Sequence, residues 1–89
     1  MPIVSFAPAL TRHVPCPPQD VEAPTVRAAL AAAFAAAPAM QGYVLDEQGG
    51  VRKHVAVFVN GEMLQRDHAL ERSLEGGDRV MVIQALTGG

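Results

Sequence analysis

The chain has 89 residues, with seven Lys and Arg against nine Asp and Glu for a net charge of −2; 49% of it is apolar and 18% charged. That apolar fraction excludes a disordered acidic tail, and the charge balance excludes the basic footprint of a DNA- or RNA-binding protein. A chain this short supports one small core and little room for a deep pocket with its own supporting shell, which argues against an autonomous enzyme.

The longest apolar stretch, residues 28–37, is too short and too weakly hydrophobic to span a bilayer. The opening residues lack the charged segment and apolar run of a secretion signal. Cys16 is the single cysteine and has no partner for an internal disulfide. A cytoplasmic location, with no membrane association, is expected.

Residues 2–7 are β-branched and aromatic, with an alternation that sends Val4 and Phe6 to one face of a first strand ended by Pro8. A second strand is expected around residues 12–14, held to a sheet edge or loop by Pro15, Pro17 and Pro18, which withhold backbone donors. Thr25 is placed to cap a helix whose alanines have the best helix propensity. Val26, Leu30 and Phe34 recur every four residues and form its core stripe, with Ala29, Ala33 and Ala37 beside them, before Pro38 stops it.

Tyr43, Val44 and Leu45 read as a short strand, followed by a turn at residues 46–50. Residues 54–59 form a stronger strand that ends in Asn60-Gly61, the dipeptide that best tolerates the positive φ angles of a tight hairpin. Residues 67–73 allow a short helical turn, and Glu75-Gly76-Gly77-Asp78 reverses the chain before a last strand over residues 79–85. The order describes an α+β domain of the β-grasp, ubiquitin-like kind, with a mixed sheet of four to five strands packed on one main helix. Residues 1–85 form this domain, and residues 86–89 are expected to be a flexible tail ending in Gly-Gly.

Ordinary catalytic signals are weak. His13, His54 and His68 fall at no metal-ligand spacing, so no metal site is expected. Cys16 lies in a proline-rich loop with no helix N-terminus or basic partner to lower its pKa, and reads as an inert thiol. Gly49-Gly50 and Gly76-Gly77 lack the Lys and Ser or Thr of a phosphate loop and read as turns. Glu71, Glu75 and Asp78 show no acid/base pattern and read as a solvated face.

The end of the chain, Leu86-Thr87-Gly88-Gly89, carries more. At average glycine usage, two glycines in a row at a terminus arise by chance in roughly 0.5% of chains, so the pair calls for a reason. Glycine has no Cβ and adopts whatever extended shape a channel demands. The α-carboxylate is ionised at neutral pH and a poor electrophile until it is converted to a mixed anhydride, for which ATP supplies the driving force.

The block His54-Val55-Ala56-Val57-Phe58-Val59-Asn60-Gly61-Glu62 and the segment from Gly77-Asp78-Arg79 through Val80-Met81-Val82-Ile83-Gln84 to Gly89 resemble the MoaD/ThiS family of ubiquitin-like sulfur carriers. The resemblance runs from about Thr25 to Gly89. It implies a carrier, not an enzyme, whose Gly89 is adenylated by an E1-like enzyme using ATP and Mg²⁺ and then converted to a thiocarboxylate. The carrier itself holds no cofactor. Leu86, Thr87 and Gly88 would be the approach segment. The implied sulfur acceptor is of the molybdopterin synthase large-subunit, cysteine synthase or thiazole synthase type, in molybdenum-cofactor, cysteine or thiamine biosynthesis. Gln84-Ala85-Leu86 replaces the proline-containing approach common in molybdopterin-type carriers, and the length and the 51–62 block are closer to cysteine-type carriers. The same tail chemistry serves a ubiquitin-like modifier, in which a lysine amine attacks activated Gly89. A plain interaction module with an idle tail is the third reading.

One helix covers one face of a small sheet, so one parity of each strand should be polar. Here Val55, Val57, Val59, Val80 and Val82 share the helix side, yet the other parity still carries Ala56, Phe58, Met81 and Ile83. Phe58, Met81 and Ile83 are therefore expected either to form a partner-docking patch beside the tail or to be buried by the 39–50 segment.

Overall fold

The computed structural model describes residues 1–84. Five strands, β1 (Ile3–Phe6), β2 (Gln19–Asp20), β3 (Val55–Val59), β4 (Glu62–Met63) and β5 (Arg79–Gln84), form one mixed sheet in the order β2-β1-β5-β3-β4. Strand β5 lies in the centre, parallel to β1 and antiparallel to β3.

Three helices accompany the sheet: α1 (Pro8–Thr11), α2 (Val26–Ala36) and α3 (Pro38–Val44), with a 3₁₀ turn at Ala69–Glu71. Helix α2 starts as its sequence dictates. Thr25 is extended, and its Oγ1 accepts the Ala28 N–H at 3.2 Å, meeting one of the free donors of the first turn. Its stripe of Val26, Ala29, Leu30, Ala33 and Phe34 is buried. Phe34 stacks on Phe6 of β1 with ring centroids 6.2 Å apart, and Val57, Val59, Val80 and Val82 complete the core with Leu10 and Met40. The core thus lies between the helices and one face of the sheet.

Two expectations are corrected. Residues 12–14 are not a strand. Pro8, at the start of α1, carries the chain into a helical turn that buries Leu10, and the edge strand forms only after the prolines, at Gln19–Asp20. Residues 43–45 are not a strand either. Pro38 both ends α2 and opens α3, because a residue without an N–H and with φ near −65° fits a first helical turn. Met40 and Val44, one turn apart, point into the core. Only Leu45 makes a bridge, to Val51.

The turns follow their side chains. Asp46 Oδ1 accepts the N–H groups of Gln48 and Gly50 and folds the 46–50 loop on itself. Asn60 and Gly61 have φ of +52° and +85°, the pair of left-handed residues that a two-residue hairpin requires. Among the described residues no helix is long and apolar enough to cross a membrane.

Candidate functional site: the open sheet face at the base of the tail

Because side chains alternate along a strand, the valines that fill the core leave the intervening residues on the opposite face. The register sets these out in rows. Ser5, Met81, Phe58 and Met63 stand directly opposite one another across β1, β5, β3 and β4. Ile83 and Ala56 form the next row toward the end of β5, and Asp20, Ile3 and Arg79 the row at its start.

Phe58, Met81 and Ile83 line one shallow concavity of about 550 Å³ with Asn60, Gly61 and Arg79. No residue of the 39–50 segment lines it, so that segment does not bury the patch. Met81 is 39% exposed and Met63 64%, while Phe58 and Ile83 are half-buried. Met63 extends the patch and was missed in the sequence. The Asn60-Gly61 turn contained the signal, since a two-residue hairpin pairs Val59 with Glu62 and therefore Phe58 with Met63.

At the rim of the concavity two turns are tied together. Asn60 Oδ1 accepts the Arg79 N–H at 2.9 Å, and Asn60 Nδ2 donates to Asp78 Oδ1 at 3.0 Å. Asp78 Oδ2 accepts the Glu75 N–H at 2.8 Å. The Glu75 N–H, and after it the Asn60 amide, hold the Asp78 carboxyl below its ordinary value. Asp78 is thus not merely a solvated acid but the fastener of the turn that launches β5. Glu71 pairs with Arg27 at 2.6 Å, and both side chains are largely exposed.

Gln84 is the last described residue of β5; it pairs with Val55 and lines a concavity with Arg52, Lys53, His54 and Tyr43. The tail itself, Leu86, Thr87, Gly88 and Gly89, lies outside the described residues, as does Ala85. The three histidines are exposed, and His13 stacks on Tyr43 with ring centroids 5.1 Å apart. Among the described residues no three His, Cys, Asp or Glu side chains converge as metal ligands. Cys16 is buried, and Gln19 Nε2 lies 3.5 Å from its sulfur.

Comparison with known proteins agrees with this architecture. A search of curated protein sequences gave no match. Among solved structures, the chain is similar to SAMP1 of Haloferax volcanii, with 25% identity and a TM-score of 0.79 over 99% of this chain and 98% of that one. It is also similar to a chain of the Amycolatopsis orientalis BexX/CysO complex, with 19% identity and a TM-score of 0.82 over 100% of this chain and 100% of that one. Mycobacterium tuberculosis CysO gives 20% identity and a TM-score of 0.81 over 97% of this chain and 100% of that one. These likenesses carry the β-grasp, ubiquitin-like fold. Residues 14–89 match the ThiS family from the proline-rich loop through to the last glycine, and the chain belongs to that family.

Proposed function

We propose that this protein is a sulfur carrier, used as a substrate by larger enzymes and not itself a catalyst. In this reading the Gly89 carboxylate attacks ATP on an E1-like enzyme, giving an acyl-adenylate and releasing pyrophosphate. Hydrosulfide from a sulfur donor then attacks the acyl carbon, forming a C–S bond as the C–O bond to AMP breaks, and leaves a thiocarboxylate. Mg²⁺ and ATP belong to the activating enzyme, and a second enzyme takes the sulfur for cofactor or cysteine biosynthesis. The carrying observation is that the family match runs through Gly89, so that the tail lies within the family's own frame.

The open face supplies the docking surface in this reading. An apolar patch that the fold leaves uncovered beside the base of the tail is suited to a partner that must hold the domain while it receives the tail. Phe58, Met81 and Ile83 form its centre.

The likeness to SAMP1, a small archaeal modifier protein, favours a modifier as the second reading, in which a lysine amine attacks the activated Gly89. One experiment separates the two. The chain is incubated with the E1-like enzyme, ATP, Mg²⁺ and a sulfur donor, and intact mass is measured. Exchange of one oxygen for sulfur at Gly89 supports the carrier, and addition of the chain's mass to another protein supports the modifier. A chain lacking Gly89 should do neither; if it keeps its biological activity, both readings fail.

A further inference from the structure

The docking face has a charged border that gives it direction. Arg79 opens β5 on the open side, and its side chain lines the same concavity as Phe58, Met81 and Ile83. Its backbone is fixed, since its N–H donates to Asn60 Oδ1 and its carbonyl accepts the Asn60 N–H at 2.8 Å, while the residue remains exposed.

The nearby acids are placed away from it or occupied. Asp78 turns back to the Glu75 N–H and the Asn60 amide, and Asp20 stands across β1 at the outer edge of the sheet. The two ion pairs among the described residues, Arg27 with Glu71 and Arg72 with Glu62, involve other cations. The concavity therefore presents an apolar floor with a guanidinium at the end remote from the tail. A guanidinium offers a planar fork of donors that matches a carboxylate, so an apolar partner with an acid at that spot is favoured over one without.

We propose that this face takes a segment of the activating enzyme whose apolar anchor seats between Phe58, Met81 and Ile83 and whose carboxylate side chain pairs with Arg79. The pairing fixes the direction in which the domain lies on its partner, and so the direction in which the tail is presented. This rests on the docking reading above.

A charge at the border of an interface acts chiefly on the encounter rate and its salt dependence, whereas the apolar anchor acts on dissociation. Association with the E1-like enzyme is measured by stopped flow for the wild type, Arg79→Lys, Arg79→Gln, Arg79→Glu and Ile83→Asp, each first shown to be folded by circular dichroism. At low ionic strength Arg79→Glu should associate about tenfold more slowly than the wild type, with Arg79→Gln between them. The gap should close at about 1 M salt, where the screening length is roughly 3 Å. Arg79→Lys should keep the association rate but dissociate faster, because an ammonium lacks the fork.

If Arg79→Glu keeps the wild-type rate and salt dependence while Ile83→Asp loses binding, the acidic partner is refuted and the docking face stands. A loss with Arg79→Glu that is equal at all salt concentrations also refutes it. If Ile83→Asp binds normally, the docking reading itself fails.

Discussion

Val82 and Ile83 are adjacent in β5 and point to opposite faces, so one substitution made at each site separates core from surface. Val82 is 0% exposed. Aspartate there forfeits about 1.5–3 kcal/mol of apolar burial and adds about 2–7 kcal/mol for an unpaired polar group, comparable to the 5–15 kcal/mol stability of a whole domain. Val82→Asp should therefore be largely unfolded. Ile83→Asp loses a cross-strand contact with Ala56 and some strand preference, together about 1–2 kcal/mol, a fall in Tm of roughly 5–15 °C. The same change puts a charge in the centre of the proposed interface and should weaken binding to the activating enzyme by at least about 2 kcal/mol, or roughly thirtyfold. Thermal melts followed by circular dichroism and equilibrium titration with the enzyme give both quantities. If Ile83→Asp unfolds as readily as Val82→Asp, the open face is core; if it binds like the wild type, the face is idle.

Asn60→Ala should lower stability by about 2–5 kcal/mol, because alanine resists φ of +52° and two side-chain hydrogen bonds vanish. Asn60→Gly tolerates the angle and should lose only the two bonds, about 1–3 kcal/mol; equal losses in chemical denaturation would remove backbone strain from the account. Asp78 has a folded pKa below the ordinary 3.8, so its ionised form adds stability at higher pH that disappears as pH falls through the lowered value. Asp78→Asn should flatten the acid side of the stability curve relative to the wild type, and melts across that range showing parallel curves would count against the turn fastener. Thr25→Ala should remove about 1 kcal/mol by uncapping α2, while Thr25→Ser retains most of it, as denaturant midpoints would reveal.

Much of this architecture was readable where one physical rule acted alone. Val55, Val57 and Val59 alternate with Ala56 and Phe58, and the period of two assigns them to opposite faces without further help. The stripe from Val26 to Phe34 and its Thr25 cap were equally plain. Strand β2 was not, because two residues at the edge of a proline-rich segment leave no period to detect. In α3, the β-branched and aromatic look of Tyr43 and Val44 hid the spacing of Met40 and Val44, which follows once Pro38 is allowed to begin a helix as well as to end one. The role of Asp78 depends on two turns 18 residues apart meeting in space, which no local pattern encodes. The patch residues were found from alternation, whereas Met63 needed the hairpin arithmetic to be carried one pair further.

The central position of β5 has a mechanical consequence. Any tension exerted on the chain beyond Gln84 runs along a strand bonded on both sides, to β1 in the same direction and to β3 in the opposite one. Ladder hydrogen bonds lie across the strands, so a lengthwise tug loads many of them at once instead of peeling them singly. A machine that grips the far end of this protein and hauls on it would meet a domain built to resist sliding, able to be dragged into place without coming undone.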